Sequence, residues 1–397
     1  MGSEQTGRLR RRLQGARLGG AGSSAVGLLA PPTACQKATN EVLNAFTYTE
    51  PRPRYAQRAA TRRDWHAIEL MTDTAPRKTF RCAPFIKEIG RGPNGARPLT
   101  TQDAHALYEA LLAGDVSDVE LGAVLLAYRL KGETAAELAG MLSAAHATLT
   151  ALHAPDGPFR PVSIPSYNGA RKQANLTPLL ALLLAREGVP VLVHGVTEDP
   201  GRVTSAEIFS LLGIEQSRNS SDIEAALGAR QLAFAPIDTL APQMARLLAL
   251  RRVLGVRNST HTLVKLLQPF SHPPHRQALR LVNYTHPEYR LSLASLFQAF
   301  PETGAGGVLL ARGTEGEAVA DTRRQVQIDW LHDGQLETVV DAQARIADEP
   351  LPEMPSSREA DPTAQWIDDA LAGRAPIPAS IRLQVETIVK IVRQSGA

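Results

Sequence analysis

A chain of 397 residues with 43 lysines and arginines against 40 acids, a net charge of +3, is long enough for two domains with separate cores and too nearly neutral for global charge to argue a nucleic-acid partner. Its two cysteines, Cys35 and Cys82, stand far apart with no CxxC or Cys/His cluster, which argues against a disulfide framework or a structural zinc site and fits a reducing cytoplasm. No apolar run approaches the roughly 20 residues of a membrane span, so no membrane partner is expected.

Residues 1–75 are rich in Arg, Gly, Ala, Ser and Pro without a sustained apolar period, and are expected to be a disordered basic extension. Much of the positive excess lies there. Three readings stay open for it: a flexible arm that helps hold nucleic acid, an organelle-type presequence, or an upstream extension before Met71, where MTDTAPRKTF resembles an ordinary beginning.

Helical patterning starts near Phe85, and residues 80–150 are expected to form a small helical domain completed by parts of the later chain. Thr100 with Asp103, Ser117 with Glu120 and Thr134 with Glu137 read as three successive capping boxes. The apolar positions between them, among them Leu107, Leu111, Val124, Leu125, Leu138 and Leu142, fit a core.

Residues 155–397 are expected to form an α/β domain with closing C-terminal helices. PVSIP and PVLVHG read as buried strands flanking the helix TPLLALLLAR, and Ser205 and Ser221 or Asp222 are candidate caps for the next two helices. QLAFAPI is a further strand; helices are expected at 241–253 and 258–268, and GVLLAR, VQIDWL and ETVVD supply more strands. The alternation implies a mostly parallel sheet. The loop after the first strand carries Asn168, Gly169, Arg171 and Lys172 at an expected helix N-terminus, a place where anions bind readily. Arg202, Arg251, Arg252 and Arg257 are further candidates for phosphate contact, with ordinary solvated charge the alternative for each. Tyr167 is a candidate base-stacking ring or a packing residue, and His194 reads as structural.

The stretch LTTQDAHALYEALLAGDVSDVELGAVLLAYRLKGETAAELAGM resembles the helical domain of anthranilate phosphoribosyltransferase, a glycosyltransferase of family 3, and the order of elements from Phe85 to Val392 is similar throughout. KGET, GVPVLVHG, RRVLGVRN and YTHPEY carry the likeness. It implies a helical domain packed on a larger α/β domain, a nucleoside phosphorylase/phosphoribosyltransferase-like fold, and a homodimer formed through the helical domains.

The motifs of that chemistry are altered. Where the enzyme family has a GTGGD loop for phosphoribosyl pyrophosphate, this chain has Ser166, Tyr167, Asn168, Gly169, Ala170, Arg171 and Lys172. The family's KHGNR becomes Val193, His194, Gly195, Val196 and Thr197, and its magnesium-holding acidic pair falls at Ala318 and Val319. Glu315, Glu317 or Asp321 could rebuild a metal site only with a slip of register. In these losses the chain resembles the YbiB-type DNA-binding relatives of the enzyme, particularly in PSYNGARKQANLTPLLALLLA and RGTEGEAVAD. That resemblance implies a homodimer that binds DNA or RNA with little sequence preference and strong salt dependence, with no catalytic residues, metal or cofactor. The alternative is a phosphoribosyltransferase with magnesium and an altered acceptor.

Overall fold

In a computed structural model that describes residues 80–92, 94–271, 277–344 and 353–393, four helices come first: α1 (Ala83–Ile89), α2 (Thr101–Ala113), α3 (Asp118–Lys131) and α4 (Ala135–Ala147). The expectations for residues 1–75 lie outside the described residues. Ser117 and Thr134 each accept the backbone N–H three residues on, and Glu120 and Glu137 return a bond to the cap's own N–H, so α3 and α4 start on complete capping boxes. Thr100 accepts from the Asp103 N–H, but the Asp103 carboxylate takes the Thr100 hydroxyl instead of its N–H. Asp is one methylene shorter than Glu, and the box stays half-closed.

The rest of the chain alternates strand and helix: β1 (Val162–Ser166), α5 (Thr177–Arg186), β2 (Val191–Gly195), α6 (Ser205–Leu211), α7 (Ser220–Arg230), β3 (Leu232–Pro236), α8 (Ile237–Leu240), α9 (Pro242–Ala249), α10 (Arg251–Leu254), α11 (Thr260–Leu263), β4 (Leu279–Tyr284), α12 (Pro287–Ala299), β5 (Val308–Arg312), β6 (Ile328–His332), β7 (Gln335–Val340), α13 (Ala360–Leu371) and α14 (Ala379–Val392). The seven strands form one sheet in the order β3-β2-β1-β4-β5-β6-β7. The first five are parallel, and β6 and β7 close one side antiparallel. The fold is therefore a helical domain with an α/β domain whose sheet is mostly parallel, as its sequence patterning and family resemblance predict.

Strands β1 to β4 are buried along their whole length, their polar residues Ser163, His194, Arg280 and Asn283 included. Their alternation still sorts the core. On β4, Leu279 and Leu281 pack with residues of α5, α13 and α14, whereas Val282 and Tyr284 join the core that runs into α2, α3 and α4. One face of the sheet is thus continuous with the helical domain's interior.

Three local expectations are corrected. Only Thr260–Leu263 is helical within 258–268, because the Asn258 side chain accepts the Thr260 N–H and donates to the Leu247 carbonyl, and the following bonds close three-residue turns. The cap of α6 is Thr204, in a complete box with Glu207, and the cap of α7 is Asn219. Ser205, Ser221 and Asp222 already lie inside the first helical turns. The expected helix 241–253 forms as α9 and α10.

Candidate functional site

The chain runs from β1 outward to β2 and β3, then returns to place β4 and β5 on the other side of β1. The crevice beyond the C-terminal ends of β1 and β4 is the switch point at which open α/β sheets bind ligands. Four loops meet there: 167–176 after β1, 196–204 after β2, the short turn after β4, and the turn that follows β5 at Arg312.

The first two loops are stitched together by a reciprocal pair of backbone bonds between Ala170 and Val203, at 2.7 and 2.9 Å. Gly169 makes this possible. Its φ is +64°, and a Cβ there would lie 2.6 Å from the Val203 carbonyl oxygen.

Five further amides of the loop are engaged by carboxylates. The N–H groups of Asn168 and Gly169 donate to Glu317 Oε1 at 2.8 and 2.7 Å. Those of Arg171 and Lys172 donate to Glu315 Oε2 at 2.6 and 3.0 Å, with the Gln173 N–H at 3.5 Å. A row of amides suited to an anion is thus occupied by two carboxylates of the same chain. The turn that brings them has Glu315 at φ +52° and Gly316 at φ +91°, and the Gly316 carbonyl accepts from Asn168 Nδ2 at 2.7 Å and Lys265 Nζ at 3.1 Å. Burial works to raise the Glu315 carboxyl, but the three N–H groups and nearby Arg202 together hold it below the usual carboxylate range.

The eight candidate residues sort by direction. Asn168 and Gly169 are buried in the loop, and two arginines turn inward onto it: Arg202 donates to the Asn168 carbonyl at 3.1 Å, and Arg257 donates to Asn168 Oδ1 at 2.6 Å. Arg251 pairs with Asp199 at 3.3 Å. The side chains of Arg171, Lys172 and Arg252 are exposed. Burial lowers the Arg257 pKa, and Arg251, Arg202 and Arg129 lower it further, so cations crowd this side of the crevice. Burial pushes Lys265 down to about 8 against the pull of Glu317. Tyr167 is buried with its hydroxyl 2.7 Å from His194 Nδ1, and burial pushes that imidazole down to about 3.

The parts of the site that sequence reasoning missed are the amide-binding roles of Glu315 and Glu317, and the burial of Lys265 behind them. Two acids flanking a glycine shortly after β5, the neighbour of switch-point strand β4, were the available signal.

Phosphoribosyl pyrophosphate and magnesium, which the fold family implies, do not fit the residues present. The loop amides are engaged, Ala318 and Val319 are buried apolar residues, and Asp321 pairs with Arg323 and Arg324 at 3.3 and 3.2 Å. Among the described residues no three His, Cys, Asp or Glu side chains group as metal ligands.

Residues 83–148 match the glycosyl transferase family helical bundle domain. The fold is similar to that of anthranilate phosphoribosyltransferase from Thermus thermophilus, with a TM-score of 0.59 at 21% identity over 79% of this chain and 90% of that one. The anthranilate phosphoribosyltransferase of Beijerinckia indica is 28% identical over 64% of this chain and 70% of its own length. Fold and sequence together define an anthranilate phosphoribosyltransferase-like scaffold of the family 3 glycosyltransferases. The uncharacterized protein YbiB of Escherichia coli (strain K12) is 44% identical over 76% of this chain and 91% of its own length. The chain belongs to the YbiB family.

Proposed function

We propose that this protein binds DNA or RNA with little sequence preference and does not transfer phosphoribosyl groups. The observation that carries the reading is the division of labour in the loop after β1. Its amides, the groups that would wrap a compact pyrophosphate, are engaged by Glu315 and Glu317, while the side chains of Arg171 and Lys172 project into solvent. Side-chain cations at a surface suit phosphates strung along a polymer, which they contact one at a time and without reading bases. Exposed Arg252 adds to the same charge.

A homodimer is part of the proposal. On α3, Val119, Leu126 and Leu130 are 83, 45 and 79% exposed. Their spacing of seven and four residues places them on one stripe of the helix, an apolar face that fits a second copy of the chain. Pairing there would present two sets of basic loops to one nucleic acid. Among the described residues no helix is long and apolar enough to cross a membrane.

Calorimetry of the whole chain with a mixed-sequence DNA oligonucleotide, and separately with phosphoribosyl pyrophosphate plus magnesium, tests the reading. Saturable DNA binding with no saturable heat from the sugar phosphate is expected. The reverse pattern would overturn the reading in favour of the phosphoribosyltransferase alternative.

A further inference from the structure

Of the loops that meet at the crevice, the short turn after β4 has no part in the phosphate contacts described above. It carries two exposed rings, His286 and Tyr289, with centroids 6.4 Å apart and planes inclined by 42°. The backbone sets them in place. His286 is extended as the N-cap of α12, Pro287 fixes the first helical φ, and the Tyr289 N–H closes the turn onto the His286 carbonyl at 3.1 Å. The next side chain, Arg290, bonds Asp329 of β6 at 2.7 Å and ties this first turn to the sheet.

The exposure of Tyr289 runs against its helical position. It stands four and seven residues before Leu293 and Leu296, on the stripe that is buried further along α12, yet its ring is 47% exposed. Charge decides what such rings can hold. Exposed Glu288 lies between them in sequence and opposes a phosphate at the turn itself, whereas exposed Arg312 stands on the neighbouring strand, opposite Tyr284 in the β4–β5 register. A nucleotide strand matches that order, with its neutral bases at the rings and its phosphates at Arg312 and at exposed Arg171 and Lys172.

Resting on the nucleic-acid binding proposed above, we propose that His286 and Tyr289 form a platform on which an unpaired base stacks, a contact that single strands make and intact duplexes do not. Every base has a π-face, so the platform adds affinity without adding sequence preference. Tyr167, at the head of the loop after β1, cannot serve in this way, because it is buried with its hydroxyl against His194.

Titration of the full chain with one mixed-sequence oligonucleotide, as a single strand and as a duplex, tests it. A 2-aminopurine flanked by thymines in the single strand reports stacking directly, since its emission falls when it lies on a ring. The wild type is expected to quench it. Tyr289→Ala should lose the quenching and bind the single strand about tenfold more weakly, while its duplex affinity stays within about twofold. Tyr289→Phe, which keeps the ring, should behave as the wild type. Leu291→Ala removes a side chain that is 67% exposed on the opposite side of the helix and should change neither affinity. Duplex binding and thermal melting report folding of each variant in the same samples. Unchanged single-strand affinity and quenching in Tyr289→Ala would overturn the proposal, as would an equal loss for single strand and duplex. A wild type that binds neither strand form would instead remove the nucleic-acid reading, and the platform with it.

Discussion

Two regions of this molecule solve one problem with one residue type. In the helical domain, Glu120 and Glu137 each accept the N–H of a cap three residues earlier. At the sheet edge, Glu317 and Glu315 accept backbone N–H groups that lie 149 and 144 residues away in sequence. Both pairs leave a buried member with several bonds and a more exposed member with fewer ties to the interior. The difference is range: in the helices a carboxylate completes a local motif, while at the sheet edge it joins two turns far apart in the chain.

The largest effect expected from this comparison is at the buried members. Glu137 is fully buried and holds the Leu99 and Thr134 N–H groups and Lys131, as Glu317 holds Asn168, Gly169 and the field of Lys265. Glu137→Ala and Glu317→Ala should each cost about 3–5 kcal/mol in denaturant unfolding, since each strands buried donors and a cation. A cost below about 1 kcal/mol for Glu317→Ala alone would break the parallel.

A second effect separates imidazoles from carboxylates by pH. Burial pushes His146 and His261 down to about 4 and His194 to about 3. Their folded pKa values lie below the unfolded value, so the stability they contribute is complete above pH 6.5 and is lost as pH falls toward 4. Glu120 and Glu315 are also lowered, but from 4.5, so their contribution persists until pH falls below that value. Unfolding free energy measured between pH 7 and 5 should therefore drop by about 2 kcal/mol for each of the three imidazoles. A flat profile in that window would contradict their buried neutral state.

The smallest stability effect belongs to the more exposed carboxylates. Glu120→Ala removes half of a capping box and the acceptor of the Cys82 N–H, and should cost about 1 kcal/mol. Glu315→Ala should cost a similar amount, because the N–H groups it frees lie at an exposed end of the loop where water can replace it. A much larger loss would make Glu315 a structural strut and not a separable part of the loop.

The same contrast explains how much the sequence revealed. Caps, helix faces and β-branched runs act over a few residues, so two of the three capping boxes and the mostly parallel sheet were legible. The failures involved distant partners. Asn258 interrupts an expected helix by bonding the Leu247 carbonyl, a contact no local pattern encodes. At the site, the excess of basic residues was visible, but their directions were not. Arg202 and Arg257 turn inward onto the Asn168 carbonyl and amide oxygens, whereas the side chains of Arg171 and Lys172 stay exposed. RGTEGEAV displayed both acids, yet only the fold brings them to amides of the loop after β1.

The central claim is that exposed basic side chains of this loop, and not its amides, meet a chain of phosphates. Binding of a mixed-sequence duplex measured across salt concentrations, for the wild type and for Arg171→Ala combined with Lys172→Ala, tests it most directly. Log affinity should fall linearly with log salt, and the double variant should bind all sequences more weakly with a slope shallower by about 2. An affinity and slope unchanged in the double variant would contradict the account.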